Sequence, residues 1–241
     1  MGSFWTALKF LTIFPWPRGV GGVAGEIGRS SPFFPLVGFF LGLILVFLSR
    51  LLESYLATEI LSVVLVTSLL WMTRALHLAG LQRTFDRLGE EEKVADAFEA
   101  VAKSHVGILG LLATLGVLAF KFRAIEVMGE ASTQGLLLAP VLGRWSMVSL
   151  VFGSDWNHEE RDAISLERVS GWHLFFATLL ALALVVVVSD RLGLWIALWI
   201  SLFTLLSRAY LHRRLAGIGL SSLGAVGEIS EALALVLFAT L

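Results

Sequence analysis

The feature that most limits what this chain can fold into is a series of seven long apolar stretches, at roughly residues 33 to 52, 56 to 76, 106 to 128, 134 to 152, 172 to 188, 192 to 207 and 224 to 240. A bilayer core of ~30 Å takes ~20 helical residues to cross, with ~17 the usual minimum. The first four stretches meet that length comfortably and the last three only just. The fifth and sixth are joined by Ser189-Asp190-Arg191 alone, which suits a tight helical hairpin, and hydropathy leaves open whether the sixth crosses fully or re-enters. Only 15% of the 241 residues are charged while 57% are hydrophobic, too little polar surface to wrap a water-soluble globule. The expected fold is an all-α polytopic membrane protein with six to seven transmembrane helices in a single domain, residues 1–241.

A formal net charge of -1 gives no general basic excess, so nucleic acid is not an expected partner. The absence of cysteine removes disulfides, thiolate nucleophiles and Cys-based metal sites. Residues 1–32 read as an interfacial, cytoplasmic segment. The run Phe4 to Pro15 has apolar residues at helical spacing but is too short to span and carries no small-residue cleavage site, so it is read as an interfacial helix retained on the mature protein. A glycine-rich connector from Gly19 to Gly28 leads into the turn Gly28-Arg29-Ser30-Ser31-Pro32.

With the N-terminus in the cytoplasm, that face collects Lys9, Arg18, Arg29, Arg74, Arg83, Arg87, Lys93, Lys103, Arg161, Arg168, Arg208, Arg213 and Arg214. The outer face receives Arg50, Lys121, Arg123 and Arg191. The asymmetry supports seven crossings, a cytoplasmic N-terminus and an external C-terminus in a cell (inner) membrane. It also gathers three polar stretches, His77 to Ser104, Gly153 to Gly171 and Arg208 to Leu223, on one surface. The stretch 77–105 is read as a cytoplasmic motif loop. Within it, Val94, Ala97, Phe98 and Val101 recur at i, i+3, i+4, i+7 between Glu90 and Lys103, the pattern of an amphipathic helix lying on the membrane or over a site.

Individual residues divide between chemistry and plain structure. Arg144 falls inside the fourth stretch, where a buried guanidinium costs about 2.5 to 3.5 kcal/mol on insertion scales and so calls for a carboxylate or phosphate partner; snorkelling beside Trp145 is the plain alternative. Glu228 and Glu231 stand at i and i+3 near the start of the last helix. They read equally as first-turn acids that suit the helix dipole or as a pair that supplies metal or substrate contacts or neutralises Arg144. His77 and His105 flank the motif loop, and no two of the five histidines have zinc-ligand spacing. The mixed-charge run from Asp155 to Glu167 reads as a solvated loop.

Several stretches, in order and nearly end to end, resemble the cobalamin synthases, the adenosylcobinamide-GDP ribazoletransferases. They are Leu8 to Pro15, Gly28 to Gly38, His77-Leu78-x-Gly80-Leu81, Ser104 to Gly107 with Gly110, Ala139 to Trp145, Leu223-Gly224-Ala225 and Glu228-Ile229-Ser230-Glu231. The resemblance implies a polytopic, magnesium-dependent enzyme that joins adenosylcobinamide-GDP to alpha-ribazole or its 5'-phosphate and releases GMP, with corrinoid and nucleotide substrates. Phosphoryl transfer of this kind needs charge neutralisation by carboxylate-held Mg2+ and an arginine clamp. Were this chain an active transferase of that kind, the expected catalytic residues are Asp86, Arg144 and His77, the expected substrate or phosphate contacts Arg29, Ser30, Arg83, Lys103, Ser104 and His105, and the expected metal contacts Asp86, Glu228 and Glu231.

The sequence departs from the family where the metal should sit. The family pattern in the central loop resembles H-L-D-G-L-A-D-x-x-D-G, and here Ala79 and Arg83 replace the first two acids, Asp86 remains and Arg87 replaces the following glycine. Against a K-D-S-R-I-G-like motif, Lys103 stands at the Asp position and His105 at the Arg. Ala216 to Ser221 lacks the acid of a G-G-x-T-G-D-like run. A divergent member lacking most of those acids is therefore expected, and a second reading follows: a non-catalytic paralogue binding a corrinoid, a nucleotide or a catalytic homologue in the membrane. Homo-oligomers and hetero-oligomers with such a homologue are both compatible with the sequence. A transporter ranks last, because no inverted repeat or paired broken helices are evident.

Overall fold

The computed structural model describes residues 2–14, 27–90, 107–129, 132–154, 169–215 and 217–241. Its elements, all helical, are α1 (Gly2–Leu11), α2 (Ile27–Ser30), a 3-10 turn (Ser31–Phe33), α3 (Phe34–Leu52), α4 (Thr58–Met72), α5 (Leu76–Glu90), α6 (Ile108–Val127), α7 (Ser132–Val151), α8 (Gly171–Val188), α9 (Arg191–Arg214) and α10 (Leu220–Thr240). The amphipathic pattern expected from Glu90 to Lys103 and the loop from Asp155 to Glu167 fall almost wholly outside the described residues, as do Lys103, Ser104 and His105.

Six helices are long and apolar enough to cross a membrane, and a seventh crossing arises if a bent pair counts as one. The marginal sixth stretch forms the 24-residue α9, about 36 Å long, so it has the length of a full crossing. The second stretch departs from expectation. Its helix α4 has only 15 residues, about 22 Å, and turns by 87° into α5. The break lies at Arg74 and Ala75, both left-handed with φ of 56° and 51°, a conformation that ends a right-handed helix. The polar stretch beginning at His77, read from sequence as a loop, is thus helical as far as Glu90. Its buried residues His77, Gly80, Leu81 and Thr84 recur at i, i+3, i+4 and i+7, one face of a helix set against the bundle.

Helix α7 is the axis of the fold. It packs against α3, α8, α9 and α10, and almost all of its length is buried, whereas α8 turns most of its surface outward. Exposed Phe47, Trp71, Leu112, Phe120, Phe175, Phe176, Trp195 and Trp199 make the outer surface apolar, as lipid contact requires. Two apolar clusters fill the interior. One joins Leu138 and Leu142 of α7 to Ala234 and Phe238 of α10; the other joins Met147 and Leu150 to Leu223 and Val226. Along both helices the charged residues Arg144, Glu228 and Glu231 fall between the two clusters.

Candidate functional site: a buried ionic cluster

Three helices bring four charged side chains together inside the bundle. Lys121 of α6 donates from Nζ to Glu228 Oε2 and to Glu231 Oε1, each at 2.5 Å. Arg144 of α7 donates from Nη1 to Glu231 Oε2. The remaining carboxylate oxygen, Glu228 Oε1, lies 4.0 Å from Nδ1 of His77 on α5. All five side chains are buried, Lys121 completely. Two acids and two bases cancel in charge, which is what a low-dielectric interior demands of any ionic group it holds.

Helix geometry makes this cluster a mid-bundle feature. Glu228 and Glu231 are the ninth and twelfth residues of α10, whose first turn holds no acid. The helix-dipole reading of the pair therefore fails, because α10 starts at Leu220 and not near Glu228. The apolar stretch read from 224 placed that start four residues too late. Arg144, the thirteenth residue of α7, lies about 18 Å along its helix, and its carboxylate partner settles the choice against snorkelling.

Lys121, which the charge pattern of the sequence places on the outer face, lies instead buried inside the bundle. It lies on the same face of α6 as Gly110 and Thr114, eleven and seven residues back, and this small and polar stripe in an apolar segment was the signal that could have found it.

Close approach of α5 to α10 positions His77. A Cβ on Gly224 would come within 2.7 Å of the His77 carbonyl, and one on Gly80 within 2.8 Å of the Ser221 carbonyl, so the crossing depends on glycine at both positions. The motifs His77-x-x-Gly80 and Leu223-Gly224 are the two sides of one contact.

Asp86 is engaged elsewhere. Its carboxylate accepts the backbone N–H of Gly107 (3.3 Å) and of Gly110 (2.8 Å), capping α6 from the neighbouring helix. Arg83 is exposed on α5, and Arg29 is exposed beside the buried Ser30 at the entrance to α3. The structure thus joins Arg144, His77, Glu228 and Glu231 and adds Lys121, while Asp86 serves a helix end.

The guanidinium of Arg144 has capacity left over. Its Nε and Nη2 are buried without a hydrogen-bond partner, as are the hydroxyls of Ser222 and Ser230 on α10. Buried donors of this kind are rare in folded proteins and call for a water or ligand oxygen. A guanidinium with two free N–H directions suits a phosphate oxygen or other oxyanion.

A magnesium ion does not fit the carboxylate pair. Three of its four oxygens already accept from Lys121 or Arg144 and the fourth faces His77. A divalent ion at ~4 Å from either fixed cation would meet repulsion on the order of 8 kcal/mol at an effective dielectric of ~20. Among the described residues no group of three or more His, Asp or Glu side chains is arranged to hold a metal.

Comparison with known proteins gives a match along nearly the whole chain. The family described as Cobalamin-5-phosphate synthase matches residues 3–239. The adenosylcobinamide-GDP ribazoletransferase of Geotalea daltonii is 34% identical over 237 residues, covering 97% of this chain and 95% of its own. That of Syntrophobacter fumaroxidans is 34% identical with 96% of each covered, and that of Pseudomonas entomophila 31% identical with 98% of each. No solved structure matches the chain.

Proposed function

The chain belongs to the cobalamin-5-phosphate synthase family, and from that premise we infer that it is an integral membrane transferase joining adenosylcobinamide-GDP to alpha-ribazole or its 5'-phosphate, giving the cobalamin and GMP. A hydroxyl oxygen of the ribazole forms a bond to the phosphorus that stays with the corrinoid. The phosphoanhydride bond to the nucleotide breaks, and GMP departs with the bonding electrons. Charge on the transferring phosphoryl oxygens is what the protein must stabilise.

The observation that carries this reading within the site is Arg144, held by Glu231 through one nitrogen and presenting Nε and Nη2 unpartnered. In the proposed reaction those two N–H groups bind the diphosphate. His77, the imidazole beside the cluster, is proposed to take up the proton of the attacking hydroxyl, and the exposed Arg29 and Arg83 to attract the anionic substrate to the mouth of the site. Asp86 is proposed to position α6, and so Lys121, by its cap. Lys103, Ser104 and His105 are proposed to contact phosphate, from a stretch adjoining that capped end. The non-catalytic reading is not favoured, since relatives matched over almost their entire length are transferases by name.

We further propose that the N-terminus and the motif-bearing stretches face the cytoplasm. With Lys121 withdrawn into the bundle, the outer face retains only Arg50, Arg123 and Arg191, which strengthens the charge asymmetry.

The direct test supplies the purified full-length chain in lipid nanodiscs with adenosylcobinamide-GDP, alpha-ribazole and Mg2+ in the medium, and follows cobalamin and GMP by chromatography. Equal amounts of both products are expected. Absence of both, under conditions where the Geotalea daltonii relative turns over, would overturn the assignment.

A further inference from the structure

The acids at the centre of this molecule have the number and spacing that invite a divalent cation, yet the geometry gives them another occupant. One ammonium nitrogen, Lys121 Nζ, bridges an oxygen of Glu228 and an oxygen of Glu231 at equal distances. It reaches them from α6, a different helix, and is itself fully enclosed. Arg144 of α7 takes the second oxygen of Glu231, so fixed cations from two different helices hold the pair. A lysine placed in an apolar helix is costly and persists only where its charge is matched.

We propose that Lys121 is the resident cation of the Glu228–Glu231 pair and closes that pair to divalent metal ions. Any divalent ion that accompanies the nucleotide is held by the diphosphate, whose oxygens are the usual ligands of such ions, and by residues other than Glu228 and Glu231. The inference rests on the reading of this cluster as the site. Its test needs no turnover, so an inactive chain leaves the result readable.

The experiment counts Mn2+ bound per chain by electron paramagnetic resonance, using the full-length protein in nanodiscs without substrate. Glu228→Gln and Glu231→Gln are expected to bind as many Mn2+ as the unaltered chain. Lys121→Ala, which vacates the seat between two carboxylates, is expected to bind one more, and Lys121→Ala/Glu228→Gln to lose that gain. Should Lys121→Ala not fold, Lys121→Met/Glu228→Gln removes one charge of each sign and is expected to keep the Mn2+ count of the unaltered chain. A count that falls by one in either glutamine variant or in this neutral pair would overturn the proposal, as would a folded Lys121→Ala that gains none.

Discussion

Arg144 and Lys121 are two cations in the interior of an apolar bundle, and each is there because a glutamate on α10 faces it. Removing one member of such a network leaves an uncompensated buried charge, which costs about 3 to 5 kcal/mol, whereas removing a matched pair costs much less. Arg144→Ala should therefore lower the unfolding midpoint in detergent by many degrees, and Arg144→Ala/Glu231→Gln should recover part of the loss. A double variant no more stable than the single one would show that the ion pair does not set the cost. The sequence alone made Arg144 conspicuous, since an arginine in mid-span demands a partner. It did not do so for Lys121, which lies close enough to Arg123 and the end of its segment to pass for a flanking charge. Nor could it place Glu228 and Glu231 in depth, because that depends on where α10 begins.

Among the elements, α5 carries the largest difference between expectation and structure. Its polarity pointed to a loop, yet a polar face next to small and apolar residues at helical spacing is also how a helix packs beside a bundle. What the sequence withheld was the pair of left-handed residues that turns α4 into α5, for neither Arg74 nor Ala75 is a residue type that favours that conformation. Ala75→Gly should relieve the strain and raise stability by about 1 kcal/mol, readable as a higher unfolding midpoint; a drop would show that the methyl group contributes packing that outweighs the backbone term. Asp86→Ala should cost about 1 kcal/mol and leave Mn2+ binding unchanged, since the carboxylate caps α6. Loss of a bound Mn2+ in that variant would return Asp86 to a metal-ligand role. At Gly224 the space argument is stronger: the Gly224→Leu chain must push α10 away from His77 and should lose both activity and thermal stability.

For the whole molecule, six to seven crossings were legible because the bilayer length leaves little freedom, although α4, α9 and α10 end or begin elsewhere than hydropathy placed them, and the family resemblance was legible because the matching motifs run in order along the chain. The convergence of α5, α6, α7 and α10 on one ionic cluster was not, since three-dimensional neighbours 87 or more residues apart leave no periodic trace. The proposed orientation predicts that Asp190→Cys and Arg213→Cys, at opposite ends of α9 in a chain without natural cysteine, label differently with a membrane-impermeant maleimide. Asp190→Cys should react in intact cells and Arg213→Cys only after permeabilisation, and the reverse pattern would invert the topology. The central proposal is that the buried Arg144, anchored by Glu231, offers its unpartnered Nε and Nη2 to the substrate diphosphate. The kcat/KM of Arg144→Lys tests it most directly, since lysine keeps the charge but not the planar fork: a fall of about 10²- to 10³-fold with a nearly unchanged unfolding midpoint is predicted, and a kcat/KM equal to that of the unaltered chain would contradict it.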